Sequence, residues 1–341
     1  MQHPSQPAVY ADSHGNRPPA LVIANPQAGR RRTGRELEAI VARLRAAVGP
    51  MDIVPTHRRG DAEAQAARAV EERRQLVVCV GGDGTVSEVV NGLLGDGDTA
   101  LAAADGLPHL GIVATGTGCD IGRGLGIEPG VVAHVDAIAH GSIRTLDVGW
   151  ARFASPSGRP MRRLWLNVLS AGIGGYVDEY VAQAPVALPG MLAYAQATLR
   201  AIAHCDRKPL RCRVTLPDGS VRERTLHAYA VAICNGTTFG AGMRIAPMAR
   251  PDDGLLDVVF IETPSKLHLI RRLRTLYFGE HLREPGVSHI RCHSLALTPI
   301  QSSAATRLFP LDIDGEAFGD VPLTAGLMPR SLRVCAPATG R

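Results

Sequence analysis

The sequence predicts an α/β domain followed by a β-rich one, and three observations carry that reading. Strand-like and helix-like segments alternate over the first 145 residues or so. Beyond that point the texture changes to short β-like segments broken by turn signals such as Pro217-Asp218-Gly219. A chain of 341 residues is also long for one core of ordinary size. Alternation implies a layered domain with a largely parallel sheet, and the second half reads as a sandwich or barrel. The expected domains are 19–145 and 146–335, after a polar, Pro-rich stretch at 1–18 that reads as a disordered leader.

The elements follow in order. Ala20 to Ala24 is an apolar strand ended by Asn25-Pro26. Residues 33–47 form a helix with Thr33 as its N-cap and Leu37, Ile40, Val41 and Leu44 on one face. A strand at 51–55 leads to a helix at 61–74 that starts at Asp61, and a strand at 76–80 leads through a glycine loop to a helix at 86–94. A strand at 109–114 runs into Gly116-Thr117-Gly118. In the second half the β-like segments are 145–153, 163–169, 210–216, 221–235, 255–262, 290–298 and 308–314, with helical patterns at 175–182, 189–204 and 264–279.

Composition narrows the function. Hydrophobic residues at 45% and charged ones at 20% can build a core without disulfide or structural metal. Aromatics at 4% leave few stacking platforms for single-stranded nucleic acid. A net charge of +5 suits an anionic partner such as ATP or an acidic membrane surface and falls short of a DNA-binding stripe, so no nucleic-acid partner is expected. Seven scattered cysteines without a CxxC fit a reducing compartment. With no apolar signal segment and no apolar run of about 18 residues, a cytoplasmic location is expected.

Four loops follow strand C-termini, where α/β sheets bind ligands. Gly81-Gly82-Asp83-Gly84-Thr85 lies between a strand and a helix. Its glycines let N–H groups approach phosphate, the helix terminus adds positive potential, and Asp83 can address a divalent cation. It is not a Walker A loop, because no Gly-Lys-Ser/Thr follows. Thr115 to Asp120, Asn25-Pro26 with Gly29, and Thr56 complete the set. In the second half, Arg250 to Leu255 carries two adjacent carboxylates and a glycine, read equally as a hard-cation site or an Asp-Gly turn. Leu311-Asp312-Ile313-Asp314-Gly315-Glu316 alternates as a strand and then turns, which can aim Glu316 into a cleft as a general base or leave it solvated.

The order of Asn25-Pro26, GGDGT at 81–85, GTGCD at 116–120, Asn235-Gly236, Asp253-Gly254-Leu255-Leu256-Asp257 and Asp314-Gly315-Glu316 resembles the diacylglycerol kinase catalytic-domain family. Within it the chain looks like the bacterial lipid kinases, similar to diacylglycerol, sphingosine and ceramide kinases. The resemblance spans roughly residues 19–335. It implies an α/β nucleotide domain, a β-sandwich domain and an active site in the cleft between them. It implies that Asn25, Thr56, Gly81, Gly82, Asp83, Gly84, Thr85, Val86, Ser87 and Thr117 bind ATP. Arg250 and Leu255 through carbonyls and Asp253 through its side chain would hold a structural Mg²⁺, a second Mg²⁺ would come with ATP near Asp83, and Glu316 would be the catalytic base. The implied acceptor is the hydroxyl of a membrane lipid, met at the inner face of an anionic membrane, with the basic helix at 265–279 and the apolar segment 186–199 as the surfaces that touch it. A homodimer is allowed. GGDGT alone is shared with NAD kinases, so an NAD kinase-like enzyme is the first alternative and a non-catalytic lipid- or nucleotide-binding regulator the second. One position departs from the family's Gly-Thr-x-Asn-Asp pattern, since Cys119 stands where Asn is usual. A thiol lacks the amide's donor–acceptor pair, which puts the nucleotide preference in question.

Overall fold

The computed structural model describes residues 19–95, 106–116, 118–155, 157–183, 190–240, 242–300 and 309–338. The expected leader at 1–18, Thr117 and the start of the 186–199 segment lie outside the described residues. The chain divides into two compact units, one drawn from the residues up to Leu146 and those from Arg330 on, the other from Asp147–Pro329.

In the first unit the elements are β1 (Ala20–Ala24), α1 (Ala28–Val48), β2 (Met51–Pro55), α2 (Asp61–Glu71), β3 (Leu76–Gly81), α3 (Asp83–Leu94), β4 (His109–Ala114), α4 (Asp120–Gly124) and α5 (Val131–His140). The strands are parallel in the order β2-β1-β3-β4, and the last residues of the chain's final strand pair beside β4 with Val334 opposite Leu110. β3 is buried on both faces, which is why LVVCVG reads as a continuous apolar run. Val22, Val78, Val80 and Val113 pack against Ile40 and Leu44 of α1 and Val135 and Ile138 of α5.

Thr33 is not the cap of α1. The helix opens at Ala28 through an irregular turn in which Gly29 and Arg31 take φ of +59 and +67. The Thr33 hydroxyl turns inward, 3.2 Å from the Ala28 carbonyl and 2.6 Å from Thr115 Oγ1. A polar side chain preceding an apolar face signals a cap in sequence, but here it ties α1 to the loop after β4.

The second unit contains β5 (Ser142–Ala154), most of which belongs to it, β6 (Pro160–Trp165), β7 (Val168–Gly172), α6 (Ile173–Ala182), α7 (Gly190–His204), β8 (Lys208–Thr215), β9 (Val221–Ala228), β10 (Ala230–Cys234), β11 (Leu256–Ile261), α8 (Lys266–Phe278), a 3₁₀ turn at Glu280–Arg283, β12 (Val287–Cys292), β13 (Ser294–Pro299), β14 (Pro310–Ile313) and β15 (Glu316–Ala336). One run of strands is β12-β11-β10-β7-β14-β15 and the other is β9-β8-β13-β15-β5-β6, with the long β15 common to both. Trp165, Leu169, Leu210, Leu226, Ile233, Phe309 and Leu323 fill the sandwich core.

Three apolar runs that read as single strands each divide in two. The run at 221–235 breaks at Tyr229, where pairing passes from β8 to β7 and β11. β15 gives no strand signal at all, because Gly319, Pro322, Gly326 and Pro329 interrupt it.

Candidate active site

In the first unit the predicted loops do converge. β3 ends at Gly81, Gly82 is extended, and α3 begins at Asp83, so the acid sits in the first turn of the helix. The Thr85 and Val86 N–H groups return to the Gly82 carbonyl. A Cβ on Gly116 would lie 2.8 Å from the Gly82 Cα, so the two loops touch backbone to backbone and glycine alone fits. Asn25 donates from Nδ2 to Thr85 Oγ1 at 3.1 Å, which fixes the loop after β1 onto α3. Thr56 is buried and its N–H reaches the Ala24 carbonyl at 2.8 Å. Asn25, Thr56, Gly81, Gly82, Asp83, Gly84 and Thr85 therefore lie at one edge of one sheet. Val86 and Ser87 follow in the first turns of α3, with their side chains buried.

Asp83 is the charged centre of this edge. Its carboxylate faces the Asp120 and Ile121 N–H groups of α4, each at a long 3.4 Å. Burial, followed by the nearby Asp120 carboxylate, pushes Asp83 up to about 6, against the pull of those N–H groups and of Arg123. Arg123 pairs with Asp120. Two acids beside a helix N-terminus, one of them held off its ordinary ionisation, fit a site that takes up positive charge with its ligand. Cys119 occupies the left-handed region at φ +50, and its thiol donates to the Gly116 carbonyl at 3.0 Å. Burial first, then the Asp83 charge, push this thiol up to about 11, so it stays protonated at neutral pH.

Sequence reasoning missed Glu88, one turn further along α3. Its carboxylate accepts from the N–H groups of Gly60 at 3.0 Å and Ala62 at 3.2 Å and so caps α2 from a distance. Helical periodicity gives no hint of this, because the capped helix is 26 residues away in the chain.

In the second unit β14 and β15 form a hairpin across Asp314-Gly315, both at positive φ, with Ile313 opposite Glu316. Asp314 is buried and accepts three backbone N–H groups, from Leu166 at 2.8 Å, Asn167 at 2.9 Å and Val168 at 3.1 Å. Its role is to hold the turn that presents Glu316. Asp312 accepts from Ser170 Oγ at 3.2 Å and from the Gly315 N–H at 2.8 Å. It also pairs with Asp178 of α6, a residue that no motif announces. Burial, then the Asp312 charge, drive Asp178 well above the usual carboxylate range, and burial raises Asp312 as well, so the pair titrates together and shares a proton. Both acids sense Glu316, so the hairpin brings three carboxyl groups together.

The loop from Arg250 to Leu255 is expected to hold Mg²⁺ through the Arg250 and Leu255 carbonyls and the Asp253 side chain, and the one charged donor of that set is already engaged. The Asp253 carboxylate is taken on one oxygen by the guanidinium of Arg291 and on the other by the Leu255 N–H at 3.2 Å. The loop is clamped from behind by Asp147, whose carboxylate accepts the Gly254 N–H at 2.7 Å and whose N–H reaches the Pro251 carbonyl at 2.7 Å.

Among the described residues no helix is long and apolar enough to cross a membrane. A family model described as the diacylglycerol kinase catalytic domain matches residues 19–151. A second, described as the YegS C-terminal NAD kinase beta sandwich-like domain, matches residues 167–336. The diacylglycerol kinase of Staphylococcus aureus (strain bovine RF122 / ET3-1) is 26% identical over 319 residues, covering 93% of this chain and 92% of that protein. That of Staphylococcus carnosus (strain TM300) is 24% identical over 319 residues and covers 93% and 95%. Among solved structures, a diacylglycerol kinase from Bacillus anthracis str. Sterne superposes with a TM-score of 0.66 at 22% identity, covering 93% of this chain and 96% of that one. Yeast NADH kinase complexed with NADH superposes with a TM-score of 0.52 at 12% identity, covering 95% and 85%. These last two likenesses speak to the fold: an α/β kinase domain with a β-sandwich. Two family models in tandem, over nearly all the described chain, make this protein a member of the diacylglycerol kinase catalytic-domain family and thereby a lipid kinase.

Proposed function

We propose that this kinase transfers the γ-phosphate of ATP, with Mg²⁺, to the hydroxyl of a membrane lipid such as a diacylglycerol, a ceramide or a sphingoid base. The observation that carries the acceptor class is an apolar cavity in the second unit, lined by Val177, Ile202, Met243, Leu269, Leu273 and Leu276, with Ser170 among its walls. Ser170 is also the partner of Asp312, which senses Glu316, so one wall residue of the cavity is tied to the carboxyl cluster. NADH kinase-like enzymes share the fold, but a dinucleotide has no use for such walls.

The chemistry is divided between the units. The GGDGT edge supplies backbone N–H groups and a helix terminus for the phosphates, and Asp83 with Asp120 would hold the Mg²⁺ that accompanies ATP and neutralises phosphate charge. Glu316 accepts the proton of the acceptor hydroxyl as its oxygen attacks phosphorus. A proton shared by Asp178 and Asp312 removes one negative charge from that cluster beside Glu316, the proposed base. The proposed setting is peripheral, at the inner face of an anionic membrane. Supporting it, α8 exposes Leu267, Ile270, Tyr277 and Phe278 beside Arg271 and Arg274, while Leu273 turns inward to the cavity.

The test is transfer of labelled γ-phosphate to a panel of lipid alcohols, with NAD in a parallel arm and the lipids presented in anionic and in neutral vesicles. The expected outcome is Mg²⁺-dependent labelling of one lipid class, faster on anionic vesicles. Glu316→Ala should lower turnover by about 10²–10⁴-fold with ATP binding retained. Labelling of NAD alone, or full turnover in the variant, would overturn the assignment.

A further inference from the structure

We infer that Arg291 stands in for a divalent cation at the Asp253 loop, so that the second unit is closed by a built-in guanidinium where the family resemblance calls for Mg²⁺. The placement begins with register. β11 and β12 are antiparallel, with Asp257 directly opposite Arg291 and Val259 opposite His289. Cross-strand neighbours on one face lie within side-chain reach. From there the Arg291 side chain spans two acids, meeting the Asp253 carboxylate through one terminal nitrogen while its Nε lies 3.8 Å from Asp257 Oδ1. His289 Nε2 meets the same Asp257 oxygen at 2.7 Å, and His293 Nδ1 lies 3.2 Å from the Gly254 carbonyl.

Arg291 and His293 thus reach the acidic loop, while His289 joins Arg291 at Asp257 of β11. The planar, always-charged guanidinium offers several donors and can bridge two carboxylates, which makes it a geometric substitute for a small cation. A divalent ion bound to Asp253 would have to displace this contact or sit against a fixed positive charge. The remaining work of such an ion, holding the turn from Arg250 to Leu255, is done by Asp147 and by the Leu255 N–H on Asp253. Asp257, 1% exposed, leaves one carboxylate oxygen without a hydrogen-bond partner, so the nearby positive charge is what makes its burial tolerable.

The inference does not rest on the lipid assignment and can be tested without nucleotide or lipid. Thermal unfolding of the nucleotide-free full chain is followed in EDTA, in Mg²⁺ and in Ca²⁺ at fixed ionic strength. The wild-type melting temperature is expected to be the same in all three. Arg291→Ala is expected to melt about 3 °C lower in EDTA and to recover in Mg²⁺ or Ca²⁺, and the double variant with Asp253→Asn should lose that recovery. Arg291→Lys, which keeps a charge but cannot bridge two acids, guards against a variant that fails to fold and is expected to melt lower with no cation response. A wild-type melting temperature that rises with Mg²⁺ or Ca²⁺ and loses that rise in Asp253→Asn would overturn the inference. So would an Arg291→Ala protein that melts like wild type in EDTA.

Discussion

Asp83 in the first unit and Asp314 in the second both precede a glycine at the end of a strand, and they are handled in opposite ways. Asp314 is buried under three backbone N–H groups, every one within 3.1 Å. Asp83 has two N–H groups at 3.4 Å and a second carboxylate for a neighbour, and its pKa is pushed up to about 6. The first arrangement spends its charge on holding a turn. The second keeps its charge poorly satisfied, which suits a group whose partner arrives with the nucleotide. The same Asp-Gly dipeptide is a structural pin in one unit and, in the proposed mechanism, a ligand-facing group in the other, and the surroundings decide which.

On that contrast, Asp314 is the more dangerous residue to remove. Asp314→Ala leaves three buried donors without an acceptor and should cost about 3–5 kcal/mol, lowering the melting temperature by about 10 °C. Turnover would fall with the folded fraction. Its readout is thermal unfolding in parallel with the kinase assay. A variant that melts normally and is merely inactive would make Asp314 a chemical participant and break the comparison.

Asp83 should behave the other way round. Its folded carboxyl titrates near 6 and the unfolded one near 3.8, so between those values the native state holds a proton that the unfolded chain has released. The stability this contributes is complete below about pH 4 and is lost as the pH rises through about 6. Asp83→Asn removes the loss, so above pH 6 the nucleotide-free variant should be more stable than wild type by about 2 kcal/mol, while turnover collapses. Melting curves from pH 4 to 8 decide it. A variant less stable than wild type at pH 8 would show that Asp83, like Asp314, is a pin.

The contrast also explains what could be read from sequence. The parallel core of the first unit announces itself because the central strands β1, β3 and β4 are continuous apolar runs and α1 and α2 are amphipathic. Glycine loops at strand ends carry their own signal, since only glycine lets the backbones of Gly82 and Gly116 meet. What stays hidden is whatever depends on a partner distant in sequence. Asp178 looks like one surface acid of a helix until it is set against Asp312, and Glu88 looks the same until its two N–H partners are known. Arg291 is an ordinary alternating strand residue until register places it beside Asp253 and Asp257. Thr33 reads as a helix cap for the same reason, because its partner Thr115 is 82 residues away.

Cys119 is the smallest lever and the finest test. It sits between the two glycines' loop and Asp83, at a left-handed φ of +50 that asparagine adopts more readily than other residues with a side chain. The thiol donates weakly to the Gly116 carbonyl, where an amide would donate more strongly and still present an oxygen to the site. Cys119→Asn should therefore raise the melting temperature by about 2–4 °C, corresponding to about 1 kcal/mol, and shift the apparent affinity for ATP by less than about tenfold. A larger change in affinity, or a switch in nucleotide preference, would mean that position 119 touches the nucleotide itself. The ligand-facing character assigned to Asp83 would then extend to the whole turn, and the division between the two Asp-Gly pairs would become one between two loops.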